Sequence, residues 1–577
     1  MQKIKEIIKN EKYFSIIVIL IASIFVCGPL MNKDIDMTYD DGIQHICRLI
    51  GTYQGFQNGN TAVFENFCNG FGYCWNLFYS PLTAYFPLIF KIFGIGFTTC
   101  IKLFVFTSAA LSGYLMYLFA KKITKNNNIA IIAGVMYIVA PYRFTDMYIR
   151  NALAELTSFV FLPIVFLGLY NLFDDNNQNF KKVFIPLIIG ATGLFLTHTV
   201  LTMYTAIFAL IYVLINYKKI KNKKILISLI ISIVLILMLT AFFWMPLLEL
   251  KHSANYEVFK EGRMERTEVL IAYKLDFYRL FFTLKNDYMH YEIGLITLIG
   301  IILTPIAIKR IKQEKYYPIY LFFIVAGITS VVMTLKVFPF EHLPSILKML
   351  QFSFRMLEFS SFFFSFVAAI NIGILSKKFD IKEVLILVII MLVLTTLYTD
   401  QIKTIQNYDE QYLINTVPVT SQTGRVHAGC ASFEYLPCKA FENRTYIETR
   451  TQDVITINGT VNIEKQDKKD SNMHIIIKDV TEQTTLELPY IYYPGYKIKL
   501  RYDGQVTNLK TFETDNGFVG ITIPTLTYGI IDVEYTGTTI MKISSVISIL
   551  GIAGFIYITF TDRIKNLLKM NKTKKKK

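Results

Sequence analysis

Residues Met37–Tyr53 read MTYDDGIQHICRLIGTY. Two adjacent aspartates precede a histidine and an arginine. If 40–50 is helical, Asp41, His45 and Arg48 follow i, i+4, i+7 and share one face. Paired carboxylates can supply a general base, or hold a divalent cation such as Mg or Mn that clamps a phosphate. Asp40 and Asp41 are therefore the candidate catalytic and metal-binding residues, with His45 in support. The alternative is a helix cap from Thr38 or Asp40. A cap explains one aspartate and leaves the second, the histidine and the arginine unexplained.

Three further stretches carry polar chemistry. APYRFTDMYIRNALAE, 140–155, sets Arg143, Asp146 and Arg150 at i, i+3, i+7, with Glu155 following inside an apolar run. Guanidinium forks match anionic oxygens bidentately, so Arg143 and Arg150 suit a phosphate. An Asp146–Arg150 surface pair is the plainer alternative. LQFSFRMLEFSS, 350–361, holds Arg355 and Glu358 at i, i+3, readable as a site or as an intrahelical ion pair. His198 in LFLTHTVLT is a site residue or a satisfied interfacial histidine. Trp244 and Pro246 in AFFWMPLLELK read as an aromatic belt and a helix stop.

The surrounding composition says what must position these residues. The chain has 577 residues, 53% of them hydrophobic, and its mean hydropathy is +0.42. Apolar runs of about 17–25 residues recur between short basic links, the pattern of a polytopic helical membrane protein. Spans are expected near 13–31, 97–120, 128–142, 152–172, 183–198, 199–217, 225–246, 291–308, 317–336, 354–376, 381–399 and 541–560, about twelve. The first reads as a retained anchor, because no small-x-small cleavage site follows Leu30. The net charge of +16 concentrates in those links and in the tail KMNKTKKKK. That is the positive-inside pattern with attraction to anionic lipid, and it speaks against nucleic acid. Both termini are then cytoplasmic. The acids, arginines and histidine gather at the opposite, extracytoplasmic face. The segment PLTAYFPLIFKIFGI, 81–95, would invert the links if it spanned, so it is expected to lie in the interface.

Three regions follow: a membrane domain over 1–399 with an outer loop at 32–96, a polar block over 400–540, and a last span with a basic tail over 541–577. The block alternates polar and apolar residues in KIKLRY before Asp503-Gly504, and FVGITI follows Asn516-Gly517. These are hairpin signals for a small β-sandwich. Of seven cysteines, Cys68 with Cys74 and Cys430 with Cys438 could form disulfides in an oxidising space, or remain thiols in a reducing one.

Taken in order, these features resemble the GT-C class of integral-membrane glycosyltransferases, which take sugar from a polyprenyl-phosphate carrier. More narrowly, PYRFTDMYIRNALAE, LTHT, AFFWMPLLELK and QFSFRMLE resemble motifs of a bacterial membrane family known as 6-pyruvoyl-tetrahydropterin synthase-related. That name is misleading, since nothing here resembles the soluble enzyme. YYPGYKIKLRYDGQ resembles the outer-domain hairpin of YfhO-type proteins, implicated in glycosylating cell-envelope polymers. The resemblance implies a catalytic carboxylate at Asp40 or Asp41 and carrier-phosphate contacts at Arg143, Arg150 and Arg355. QFSFR stands where a proline-tryptophan pair is expected before the arginine.

The expected protein is thus a multi-pass bacterial plasma-membrane glycosyltransferase with a GT-C-like helical domain and an extracytoplasmic β domain. Its partners would be a polyprenyl-phosphate sugar donor, a cell-envelope glycopolymer or lipid acceptor, and membrane lipid. His45, Asp146, Glu155, His198 and Glu358 would support the site. The rival is a transporter or flippase, or a non-catalytic envelope-assembly protein. The charge-free interior of most spans and the absence of a convincing repeat favour a one-sided site.

Overall fold

The computed structural model describes residues 10–32, 40–174, 180–260, 262–263, 265–284, 287, 289–376, 379–398 and 433–574. Thr38, Cys430 and residues 400–432 of the polar block lie outside them. The helices used below are α1 Glu11–Cys27, α2 Gly42–Asn58, α3 Phe97–Thr124, α4 Asn127–Ile138, α5 Leu153–Phe173, α6 Phe180–Phe195, α7 Thr199–Ile215, α8 Lys223–Leu239, α9 Ala241–Ser253, α10 Tyr317–Thr334, α11 Met356–Leu375, α12 Ile381–Leu394 and α13 Thr539–Lys574.

Among the described residues, seven helices are long and apolar enough to cross a membrane, or up to nine if each of two bent pairs counts as one span. The bends lie between α4 and Pro141–Ile149, at 41°, and between α8 and α9, at 68°. Twelve is not reached, and the local chemistry shows why. The expected span at 291–308 is two eight-residue helices, Leu295–Ile302 and Thr304–Ile311, with Pro305 opening the second. The apolar run 183–217 is divided at His198 into α6 and α7, each shorter than a full span. The segment at 81–95 forms two single turns, Leu82–Tyr85 and Leu88–Lys91, interrupted at Pro87.

The helical core is aromatic. Phe119, Phe166, Phe323, Phe362, Phe363 and Phe366 form one ring cluster of stacked, tilted and edge-to-face contacts, with Phe323 and Phe363 edge to face and their centroids 4.9 Å apart. Where α3 crosses α4, a Cβ on Gly134 would stand 2.7 Å from the Gly113 carbonyl oxygen. Only glycine permits that approach, the small-residue contact common between membrane helices.

The β domain is a sandwich of two antiparallel sheets. Its strands are β1 Ile455–Asn458, β2 Asn462–Lys469, β3 Asn472–Val480, β4 Thr484–Ile491, β5 Tyr496–Tyr502, β6 Gln505–Leu509, β7 Phe512–Glu513, β8 Phe518–Ile523 and β9 Leu526–Tyr535; one sheet has the order β1-β4-β8-β7 and the other β2-β3-β9-β5-β6. Both hairpin signals hold. Asp503 and Gly504 take φ of 48° and 73° between β5 Tyr496–Tyr502 and β6 Gln505–Leu509, the left-handed pair such a two-residue turn requires. Gly517 turns β7 Phe512–Glu513 into β8 Phe518–Ile523.

The four-stranded sheet docks on the loop that follows α2. Ile491 N donates to Phe71 O at 2.9 Å, and the rings of Phe71 and Phe518 meet at 5.2 Å. Cys74 is buried as a free thiol, so it forms no bridge to Cys68.

Candidate functional site

Two polar assemblies meet beneath this junction. The first is buried around Arg150. α4 ends at Ile138, Pro141 starts one helical turn, and Thr145–Ile149 then widens into a π turn. A π turn holds more residues than an α turn, so it rotates Arg150 off the face of Arg143. Arg150 reaches Asp146 at 3.0 Å, Glu155 at 2.8 Å and Asp41 at 3.6 Å. Its backbone carbonyl accepts from Asp41 N at 3.0 Å. Tyr142 donates its hydroxyl to Glu155 Oε2 at 2.7 Å, while Arg355 Nε donates to Glu155 Oε1 at 2.8 Å. Arg150 is only 3% exposed, and its charge is matched on three sides.

Arg143 points elsewhere. It donates to Ser112 Oγ at 2.8 Å and lies 4.2 Å over the Phe159 ring, inside the helix bundle. Glu358 is also interior and accepts from Ser158. It does not pair with Arg355 along the helix, because Arg355 turns to Glu155. Arg143 Nη1, Asp146 Oδ2 and Glu358 Oε2 have no hydrogen-bond partner among the described residues.

The second assembly lines a cavity of about 300 Å³. Asp41, His45 and Arg48 all face it, as their helical spacing predicted, and Arg355 and His198 join them. Asp41 occupies the N-cap position of α2 without a side-chain capping bond, since its carboxylate turns to Arg150 instead. The N-cap position is thus held by neither Thr38 nor Asp40, the two residues expected to cap. Asp40 is exposed at φ 47° and is not among the lining residues.

Arg48 anchors the opposite wall. It donates to Asn76 Oδ1 at 2.9 Å, Ser80 O at 2.9 Å and Tyr79 O at 2.7 Å, and its guanidinium lies 4.8 Å over the Tyr79 ring. This clamp presents Trp75, Phe78 and Tyr79 to the cavity, which Phe352 and Tyr435 complete. His198 caps α7 by accepting from Leu201 N at 3.3 Å, so its plain structural role and its place at the cavity coexist.

Electrostatics follow from burial. The Asp41 carboxyl is raised above its ordinary value, first by loss of water, with Arg150 and more distantly Arg355 and Arg266 opposing. His45 is pushed down to about 3 by burial and the neighbouring Arg48 charge, so it stays neutral.

The far wall holds residues that local pattern did not reveal. Arg263, Arg266 and Glu434 reach the cavity from chain positions far from α2. Val258 N donates to Glu434 O at 2.8 Å, Glu257 N to Leu436 O at 3.0 Å, and Cys438 N to Asn255 O at 2.7 Å. This backbone pairing delivers Glu434 to Arg266, with which it forms an ion pair. GRMER, 262–266, is visibly charged in the sequence, but its partner is not.

The expected cation does not fit these donors. A hard dication takes about six oxygens, whereas Asp40 is exposed and Asp41 is held by Arg150. Among the described residues, no group of three or more His, Cys, Asp or Glu is placed to hold a metal ion.

Residues 77–406 match the sequence profile of the 6-pyruvoyl-tetrahydropterin synthase related domain, described as a membrane protein. The chain belongs to this family. The matched stretch is more than half of the chain and contains the Arg150 cluster and Arg355, while Asp41 and Glu434 lie outside it. An uncharacterized protein of Lactococcus lactis subsp. cremoris (strain MG1363) is 27% identical over 260 residues, 43% of this chain and 42% of that relative. The match therefore spans less than half of the relative's length.

Proposed function

We propose that this family member is a membrane glycosyltransferase. It moves a sugar from a polyprenyl-phosphate donor to a cell-envelope glycopolymer or lipid on the extracytoplasmic side of a bacterial plasma membrane, with both termini cytoplasmic. The observation that carries the reading is the cavity wall. One cavity presents a carboxylate, Asp41, a guanidinium, Arg355, and a set of aromatic rings. Rings offer apolar faces to a sugar, and a guanidinium offers forked donors to a phosphate.

In this reading Asp41 takes the proton of an acceptor hydroxyl. The hydroxyl oxygen attacks the anomeric carbon from the face opposite the phosphate. The bond from that carbon to the phosphate oxygen breaks, and the electron pair leaves with the carrier phosphate beside Arg355. The proton on Asp41 then returns to solvent. A raised carboxyl is the better base near neutral pH. Arg150 acts as a positioning residue that holds Asp41 by side chain and backbone together. Arg143 and Arg150, expected from the sequence to contact phosphate, are buried away from the cavity, so this role falls to Arg355. No step requires the divalent cation.

The test is donor consumption by purified protein in lipid, with labelled polyprenyl-phosphate sugars and an envelope extract. Transfer or slow donor hydrolysis, lost in Asp41→Asn and kept in Asp40→Asn, is the expected result. The rival, a flippase or non-catalytic assembly protein, draws support from the acids committed to Arg150. It would be favoured if labelled carrier binds but no donor is consumed.

A further inference from the structure

A second cavity, about 510 Å³, lies over Arg263, Arg266, Thr267, Glu268 and Glu434. It shares Arg263, Arg266 and Glu434 with the first, so the Arg266–Glu434 ion pair is the partition between them. The two spaces differ in chemistry. The first has five aromatic liners, and the second has none. Charge in the wall of the second is balanced, with Arg263 and Arg266 against Glu268 and Glu434; Arg266 faces Glu434, and Arg263 Nε stands 3.4 Å from Oε1 of Glu257, which lies behind the wall.

We infer that this second cavity is the acceptor subsite, built for an uncharged, hydroxyl-rich carbohydrate or polyol. The assignment as acceptor rests on the transfer reading above. Each sugar hydroxyl both donates and accepts. A wall that alternates guanidinium donors with carboxylate acceptors serves both functions of every hydroxyl. An anionic polymer fares worse, because pairing it with Arg266 would strip Glu434 of its partner beside other acids. The position also fits. Arg266 and Asp41 line the same first cavity, so a chain seated across the partition points a hydroxyl toward the base. With little aromatic surface to hold it, the acceptor is bound by hydrogen bonds, and specificity resides in hydroxyl stereochemistry rather than charge.

The experiment measures binding without donor. Full-length protein in nanodiscs of uncharged lipid is titrated calorimetrically with neutral oligosaccharides of glucose, galactose, rhamnose and N-acetylglucosamine, and with oligogalacturonate of matching length. At least one neutral oligomer binds the wild type more tightly than the uronate. Thr267→Trp fills the cavity and weakens that binding at least tenfold, while Val506→Trp on the exposed β6 leaves it unchanged. Glu434→Gln keeps the side-chain volume, removes one negative charge and shifts preference toward the uronate, which keeps the proposal testable if the tryptophan variant does not fold. Binding by none of the neutral oligomers, or binding indifferent to both Thr267→Trp and Glu434→Gln, overturns the subsite. Oligosaccharide binding with this mutational pattern, but without donor consumption in any assay, instead removes the transfer reading and leaves the subsite standing.

Discussion

Arg150 and Arg355 share the carboxylate of Glu155, yet they sit in regions of opposite character. Around Arg150 every side of the guanidinium meets a protein oxygen or an aromatic face: three acids, the Tyr142 hydroxyl at 3.4 Å, and the Phe354 ring at 5.2 Å. Arg355 also bonds Leu350 O and Gln351, but it borders open space. An arginine already matched on all sides supports structure, and one beside a cavity can meet a ligand. Residue type alone does not separate the two.

The largest expected effect breaks this comparison at Asp41, which pairs with Arg150 and lines the cavity beside Arg355. Asp41 belongs to both regions, so Asp41→Asn separates chemistry from support. Sugar transfer should fall by about 10²–10⁴, while membrane insertion and thermal midpoint change little. A variant that retains full transfer ends the catalytic role.

Next comes Arg150→Met. It leaves Asp41, Asp146 and Glu155 without their countercharge, which costs about 3–5 kcal/mol when a buried pair is broken from one side. Denaturation in detergent should show it. Arg266→Gln, at a partly exposed pair, should cost under about 1 kcal/mol. Equal losses in the two variants would erase the distinction between the regions.

The pH profile sharpens the same point. The Asp41 carboxyl is raised, so its basic form is lost as pH falls through a value above the ordinary carboxylate range. The acidic limb of the transfer rate should lie there. His45 should contribute no limb near neutral pH, since it is pushed down to about 3.

A smaller effect belongs to the β domain. Lys468 donates to Gly70 O at 2.7 Å, Gln452 Oε1 at 2.6 Å and Pro489 O at 2.9 Å, fastening the sandwich to the loop after α2. Lys468→Met leaves the part-buried Gly70 and Pro489 carbonyls unmatched and should lower stability by about 1–3 kcal/mol, read as faster proteolysis between residues 60 and 80. The smallest expected change is Asp40→Asn, within about twofold of wild-type transfer. A larger loss would return Asp40 to the candidate site.

Much of this organisation was legible locally. The hairpins at Asp503-Gly504 and Asn516-Gly517 were readable because left-handed turn geometry selects those residues. The shared face of Asp41, His45 and Arg48 was readable because an α-helix repeats every 3.6 residues. The same rule failed at Arg143 and Arg150, where one π turn changes the period. Hydropathy overcounted full spans for another reason: it did not register the break before Pro305, and it took the two segments that meet at His198 for full spans although each helix is shorter than one. Glu434 was invisible, since nothing near it in sequence indicates that residues 255–258 will pair with 434–438.

The sequence by itself determined a membrane protein with a β-rich region near its C-terminus and the pool of acids and arginines available for chemistry. Burial, periodicity and turn preference are local properties, so composition and spacing encode them. Only the tertiary structure decided which charges neutralise one another and which border a cavity. That outcome depends on contacts between residues distant in the chain, and a charge far from water is defined by the partner the fold supplies.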